Sequence, residues 1–188
     1  FMYLLSLSTT LKKIEVQYAK PPRPFSIIKS MLMNNHHKIS SITFSIYILI
    51  SFYVFGGGIV NSLVAYRTWR HVGAEEFPKF HHVDSQLIIP LFVIFFFLSF
   101  IPQVLLFWFR PRAIPRWMVL LALTFNLIVL VSTITVQIPI QTKLDQAFSL
   151  ELIDKLISTD MIWRRIPMFL LAIINFSMLY NVVSRSDK

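Results

Sequence analysis

The 188-residue chain contains no cysteine. Disulfides, thiolate metal centres and haem attached through thioethers are therefore excluded. Charge is scarce as well: Asp, Glu, Lys and Arg make up 14% of the residues, and carboxylates number 9 against 18 lysines and arginines. Glycine occurs four times, three of them consecutively at Gly56, Gly57 and Gly58. No HxxxH or HExxH spacing occurs, so the histidines give no metal signature. What fills the chain instead is apolar: 55% hydrophobic residues, 18 phenylalanines and a positive mean hydropathy. That is far from the balance of a soluble domain.

The apolar residues gather into four runs, each near the roughly 20 residues a helix needs to cross a bilayer. The runs predict spans at about 42–66, 85–109, 117–137 and 166–183. Between the third and fourth, Leu144, Phe148, Leu152, Ile153, Leu156 and Ile157 recur at threes and fours, with Asp145, Glu151, Asp154 and Lys155 among them. This spacing predicts an amphipathic helix over 138–165, lying at the interface, with Ser149 as a cap near the start of its stronger half. The expected fold class is thus all-α: an integral membrane, antiparallel four-helix bundle with an interfacial helix before the last span.

Residues 1–41 are basic, carry a stiff "KPPRP" at 20–24, and open on an apolar stretch too short to span. "MLMNNHHKISS" at 31–41 reads like a start, so synthesis is expected to begin at Met31 or Met33. N-terminal sequencing of native protein that began near Phe1 would contradict that expectation. Residues 184–188 form a polar tail.

All four tryptophans, Trp69, Trp108, Trp117 and Trp163, fall at span ends, as expected of an aromatic belt. The formal charge of +9 lies mainly beside the apolar runs, where it suits anionic lipid and not nucleic acid. With four spans both termini share a side with the arginine-rich turn 110–116. That side holds 11 lysines and arginines against 7 opposite, which favours cytoplasmic termini in a cell membrane; with a start at Met31 or Met33 it holds 6 and the excess vanishes, leaving the dense arginine turn as the signal.

Each span holds one side-chain amide: Asn61, Gln103, Asn126 and Asn175. An unpaired amide in hydrocarbon is costly, so all four are expected to face inward, as interhelical glue or as the lining of a polar pocket. No acid or base lies deep in any predicted span, which argues against a pump or an ion-coupled transporter. Chemistry-bearing residues instead collect on one membrane face, in "EEFPKFHHVD" at 75–84 and in the connector. Pro78 suits the first turn of the second helix. On that helix His81 shares a face with Asp84, and His82 with Gln86. His81 suits an interfacial or hydrogen-bonding role first, and is otherwise the candidate acid/base or ligand; any site it forms must be completed by the connector.

The pattern "AYRTWRHVGAEEFPKFHH" at 65–82, with the connector "QIPIQTKLDQAFSLELIDKLISTDMIWRRIP" at 137–167, resembles a broad group of bacterial four-helix integral membrane proteins of unknown function. That group is distantly similar to anthrone-oxygenase-like membrane proteins. The matching positions are Trp69, Glu76, Phe77, Pro78, His81, Pro139, Leu144, Thr159 and Arg165, while Met161 stands where a tryptophan is expected, with Trp163 two positions later.

Three functions follow as expectations. The first is an accessory or assembly protein without its own catalysis. Its partners are the lipid bilayer and a second copy or another membrane protein. The alternative, which the resemblance implies, is an oxygenase-like enzyme acting on a lipophilic or aromatic substrate. In it His81 is acid/base or ligand, Arg165 an oxyanion partner, and Asp160 or Glu76 orients them, with Trp69, Asn61, Asn126 and Asn175 as binding residues. A small transporter is the weakest of the three, since no internal repeat is evident. No motif identifies a cofactor.

Overall fold

The computed structural model describes the backbone of residues 24–186 and the side chains of residues 35–185. Residues 1–23 of the basic extension lie outside these described residues, and at the expected start, Met31 or Met33, the backbone alone is described. The chain divides into two compact units, residues 1–38 and 39–188. In the first, residues 24–38 are helical.

The second unit is helical throughout its described residues apart from short turns. Four helices are long and apolar enough to cross a membrane: α1 (Asn35–His71), α2 (Phe77–Phe109), α3 (Arg116–Leu144) and α4 (Leu150–Arg185). With 29 to 37 residues each, they are about 45–55 Å long at 1.5 Å per residue, against a hydrocarbon core of about 30 Å. Leu49, Ile101, Ile173 and Phe176 are among many large apolar side chains left exposed on their outer faces.

The helix starts obey local chemistry. Ser149 accepts a hydrogen bond from the Leu152 amide, the cap expected from the sequence. At the head of α2, Glu76 is the capping position and Pro78 sits in the first turn, while the Gly73 carbonyl takes the Glu76 and Phe77 amides. The amphipathic stretch 138–165 is not one helix. Residues up to Leu144 complete α3, residues 145–149 turn, and Leu150 opens α4, which continues into the last apolar run without a break.

Each of the four helices contains one π-helical turn: Asn61–Ala65, Ile89–Val93, Thr133–Gln137 and Met161–Arg165. Proline accounts for three of them. A proline lacks a donor and its ring clashes with the carbonyl four residues earlier. Pro139 and Pro167 follow their π turns by two positions, so the clash falls on the widened backbone at Thr135 and Trp163. Pro90 lies inside the third such turn. In α1 no proline is present, and the π turn comes just after Gly56–Gly58.

The core forms three clusters, each drawing on all four helices. One contains Tyr47, Leu106, Ala122 and Met178, the second Val54, Phe92, Val129 and Met168, and the third Trp69, Phe77, Leu144 and Leu156. Gly57 and Gly58 let the second cluster close. A Cβ on Gly57 would lie 2.9 Å from Phe92 Cδ2, and one on Gly58 would lie 2.6 Å from Met168 Cε. The phenylalanine ring is stiff and the thioether end of methionine is not. Gly57→Ala is therefore expected to destabilise by about 1–3 kcal/mol, as overpacking does, and Gly58→Ala by less despite its shorter contact. Thermal unfolding of the two variants in one detergent checks the order.

Candidate functional site

The four π turns surround one cleft. Asn61, Phe92 and Val93, Thr133 and Gln137, and Arg164 contribute to its lining from α1, α2, α3 and α4 in turn. Its empty space, open mouth included, is about 750 Å³. One end is polar, with Tyr66, Trp69, Asp84, Ser85, Gln141 and Arg164; the rest is apolar, with Ile88, Phe96, Phe97, Val129 and Met168. π turns concentrate at functional sites because they re-aim side chains that an ordinary helix would point elsewhere.

Re-aiming is visible at the polar end. Residues five apart on an ordinary helix point far from one another at about 100° per residue. The i→i+5 bonding of the π turn brings them nearer, so the Asp160 carboxylate meets both Arg164 Nη1, at 3.3 Å, and Arg165 Nε, at 3.0 Å. The Arg165 contact is an ion pair by distance but is not aligned as a hydrogen bond. Ser62 donates to the same carboxylate. Arg164 Nη1 also donates to the Tyr66 hydroxyl at 3.1 Å, and Gln141 Nε2 donates to it at 3.2 Å. Asp160, Arg164 and Arg165 are all buried. Three buried polar atoms on the cleft residues have no hydrogen-bond partner: Trp69 Nε1, Gln137 Oε1 and Arg164 Nε.

His81 stands behind this wall. Its ring is fully buried, with Nδ1 2.6 Å from Asp145 Oδ1. The ring stacks on Phe77 at 5.5 Å and meets the Trp69 ring edge-on at 4.6 Å. Trp69 touches both His81 and the cleft, whereas His81 is not among the lining residues. His82 is exposed and pairs with Gln86 at 3.0 Å, on the shared face expected.

Several expectations need correction. Trp69 is 2% exposed and belongs to a core cluster, not to an aromatic belt, whereas Trp108, Trp117 and Trp163 are exposed. The reason is the tight turn Trp69–His71 at the end of α1, which folds the indole onto Tyr66, Phe77 and His81. Glu76 does not orient His81. It is exposed at the capping position, five residues away, and the partner is Asp145 from the turn between α3 and α4. Arg165 faces Asp160 and the Ile157 carbonyl, and its neighbour Arg164 lines the cleft. Asp160 holds these two arginines and not His81.

The amides sort into two places. Asn61 is half-buried on the cleft. Asn126 and Asn175 are buried and joined through a chain of hydrogen bonds. Asn126 Nδ2 donates to Gln103 Oε1 at 2.6 Å, Gln103 Nε2 to the Tyr47 hydroxyl at 3.3 Å, and that hydroxyl to Asn175 Oδ1 at 2.7 Å. Asn126 and Asn175 also line a second, smaller cavity, which shares the walls Phe96 and Met168 with the first.

Among the described residues no group of three or more His, Asp or Glu side chains is placed to hold a metal ion. Fold and cleft together define an all-helical chain with four candidate spans around an amphipathic cavity. No protein family, curated protein or solved structure matches the chain.

Proposed function

We propose that the chain is an antiparallel four-helix bundle of the cell membrane that holds a lipophilic molecule with a polar head in the cleft between its helices. It does so as a binding or accessory protein, without catalysis of its own. The single observation that carries this reading is the cleft: an apolar body with three buried, unspent hydrogen-bonding atoms at its polar end. Such an arrangement is the usual form of a small-molecule site. A buried donor or acceptor left unmatched costs about 1–3 kcal/mol, and a ligand that satisfies it recovers that cost.

In this reading the ends of the helices carrying residues 66–85 and 138–160 lie outside the hydrocarbon, as a cap on one face; the positions of the apolar runs support it. Residues 150–160 are the amphipathic part of that cap. The lining then matches the membrane, with Arg164 and Gln137 near the headgroup level and Phe96 deeper. The bilayer is one partner, and a second copy or another membrane protein is the other.

An oxygenase-like enzyme is the second reading, and the His81–Asp145 pair favours it, since a carboxylate on Nδ1 fixes the ring as in acid/base sites. Against it, Trp69 separates that pair from the cleft.

Native mass spectrometry of the detergent-purified chain tests the proposal. The expected result is a bound species of small-lipid mass, lost in Trp69→Phe and Gln137→Leu. A bare chain in every mild detergent would contradict it. Orientation is tested separately, because the chain has no cysteine of its own. A cysteine at Glu75 is expected to react with a membrane-impermeant maleimide in intact cells, and one at Arg112 only after lysis.

A further inference from the structure

Two buried guanidiniums share one buried carboxylate. Asp160 is matched by both Arg164 and Arg165, which leaves one positive charge in excess within the cluster. Arg164 carries that excess to the cleft, where its side chain is 8% exposed and its Nε is unpartnered. Trp69, which lines the same cleft and like Arg164 meets Tyr66, has a second buried donor without a partner in Nε1. The cleft also contains Asp84, on another helix, which is half-buried where Arg164 is buried. Water screens Asp84 more than it screens Arg164, so the guanidinium is the stronger charge toward anything bound next to it. A site with an uncompensated buried cation and two donors selects an oxyanion.

The far end of the cleft is closed by Phe96 and Met168, the residues it shares with the smaller cavity beyond. Met168 and Phe92 occupy the room that the missing Cβ atoms of Gly58 and Gly57 leave open. The space is thus a single channel with a cation at its head and a flexible thioether at its foot.

We infer that the ligand is a single-chain acidic amphiphile, its carboxylate or phosphate on Arg164 and Trp69 and its chain running past Phe97 and Val129 to end at Phe96 and Met168. This rests on the proposed binding function of the cleft and adds its charge class and its length limit. The oxyanion accepts from Arg164 Nε and Trp69 Nε1; a carboxylate head has no proton for the Gln137 carbonyl, whereas a monoprotonated phosphate donates its remaining P–OH to it. Met168 sets the length because its side chain is the partition between the two cavities.

The test uses the full chain in nanodiscs of a zwitterionic lipid, with displacement of a fluorescent long-chain carboxylate. The competitors are straight-chain carboxylates, monoalkyl phosphates and alcohols of stepped lengths. Carboxylate or phosphate is expected to displace the probe at least tenfold better than the alcohol of equal length, and whichever of the two does so identifies the head. Arg164→Gln is expected to abolish that preference, weakening the acids at least tenfold more than the alcohols. It keeps Asp160 paired one-to-one with Arg165, so the fold should survive, and Arg164→Lys, which keeps the charge, should retain part of the preference. Met168→Ala is expected to move the optimum to longer chains by joining the two cavities. If alcohols compete as well as acids in the unaltered chain, the acidic class is wrong while the binding function stands. If the probe binds and no competitor displaces it, or the probe does not bind, both fail. An unchanged length optimum in Met168→Ala overturns Met168 as the limit.

Discussion

Replacing Asp160 with alanine is expected to destabilise the protein by about 3–5 kcal/mol, the cost of leaving buried charges without their partner. Asp160 is 1% exposed and is the carboxylate between Arg164 and Arg165, so its loss strands two guanidiniums and the Ser62 hydroxyl together. At roughly 2–4 °C per kcal/mol for a chain of this size, the midpoint of thermal unfolding should fall by on the order of 10 °C. A control fixes the cause. Arg165→Met in the same background removes one of the stranded charges and should recover part of the loss, whereas a purely steric role for Asp160 predicts no recovery. Circular dichroism melts of the two variants in one detergent decide between them.

The second large effect is expected at Trp69. Truncation to alanine removes the ring that joins Tyr66, Phe77 and His81, and should cost about 3–5 kcal/mol as a buried aromatic does. Trp69→Phe separates packing from binding. It keeps one aromatic ring in place and deletes the indole N–H, which has no partner in the protein, together with part of the bicycle, so a smaller packing cost than that of alanine accompanies the loss of the donor. Its melting temperature should stay within a few degrees of the original while the bound molecule is lost. A Trp69→Phe variant that melts low and still retains its ligand would show that the indole serves the core alone.

The apolar runs were readable because hydrocarbon imposes length and composition directly. The dependence of His81 on the connector was also readable, from the paucity of polar residues elsewhere and their concentration on two segments. Its partner was not. Asp145 reaches His81 because α3 runs on past Pro139 to Leu144 before turning, and a run of 138–165 as one amphipathic helix hides that turn. Ser149 marked the restart of the helix correctly, and the turn lies just before it.

The cleft itself was the least legible feature. Pro90, Pro139 and Pro167 signal disturbed helix, yet a proline can kink, break or widen a helix, and only widening turns Arg164 inward while keeping Arg165 on Asp160. The doublet Arg164–Arg165 beside Asp160 was the available signal, and it reads equally well as a headgroup anchor. Trp69 was ambiguous in the same way, because an indole at a span end suits both the interface and the core. Tyr66, Gln137 and Gln141 lie inside the two resembling stretches at 65–82 and 137–167, yet nothing there sets them apart from their neighbours, and three-dimensional convergence brings them to one place.

Photolabelling tests the binding function most directly. The purified chain in nanodiscs is treated with a photoreactive single-chain amphiphile, and the sites of attachment are mapped by peptide mass spectrometry with and without excess unlabelled compound. Labels that the excess removes are expected on Ile88–Phe97 and Val129–Gln141, the segments of α2 and α3 that line the cleft. Labels spread over the outer faces at Leu49, Ile101 and Phe176, and indifferent to excess compound, would mean that the chain meets lipid only as its solvent.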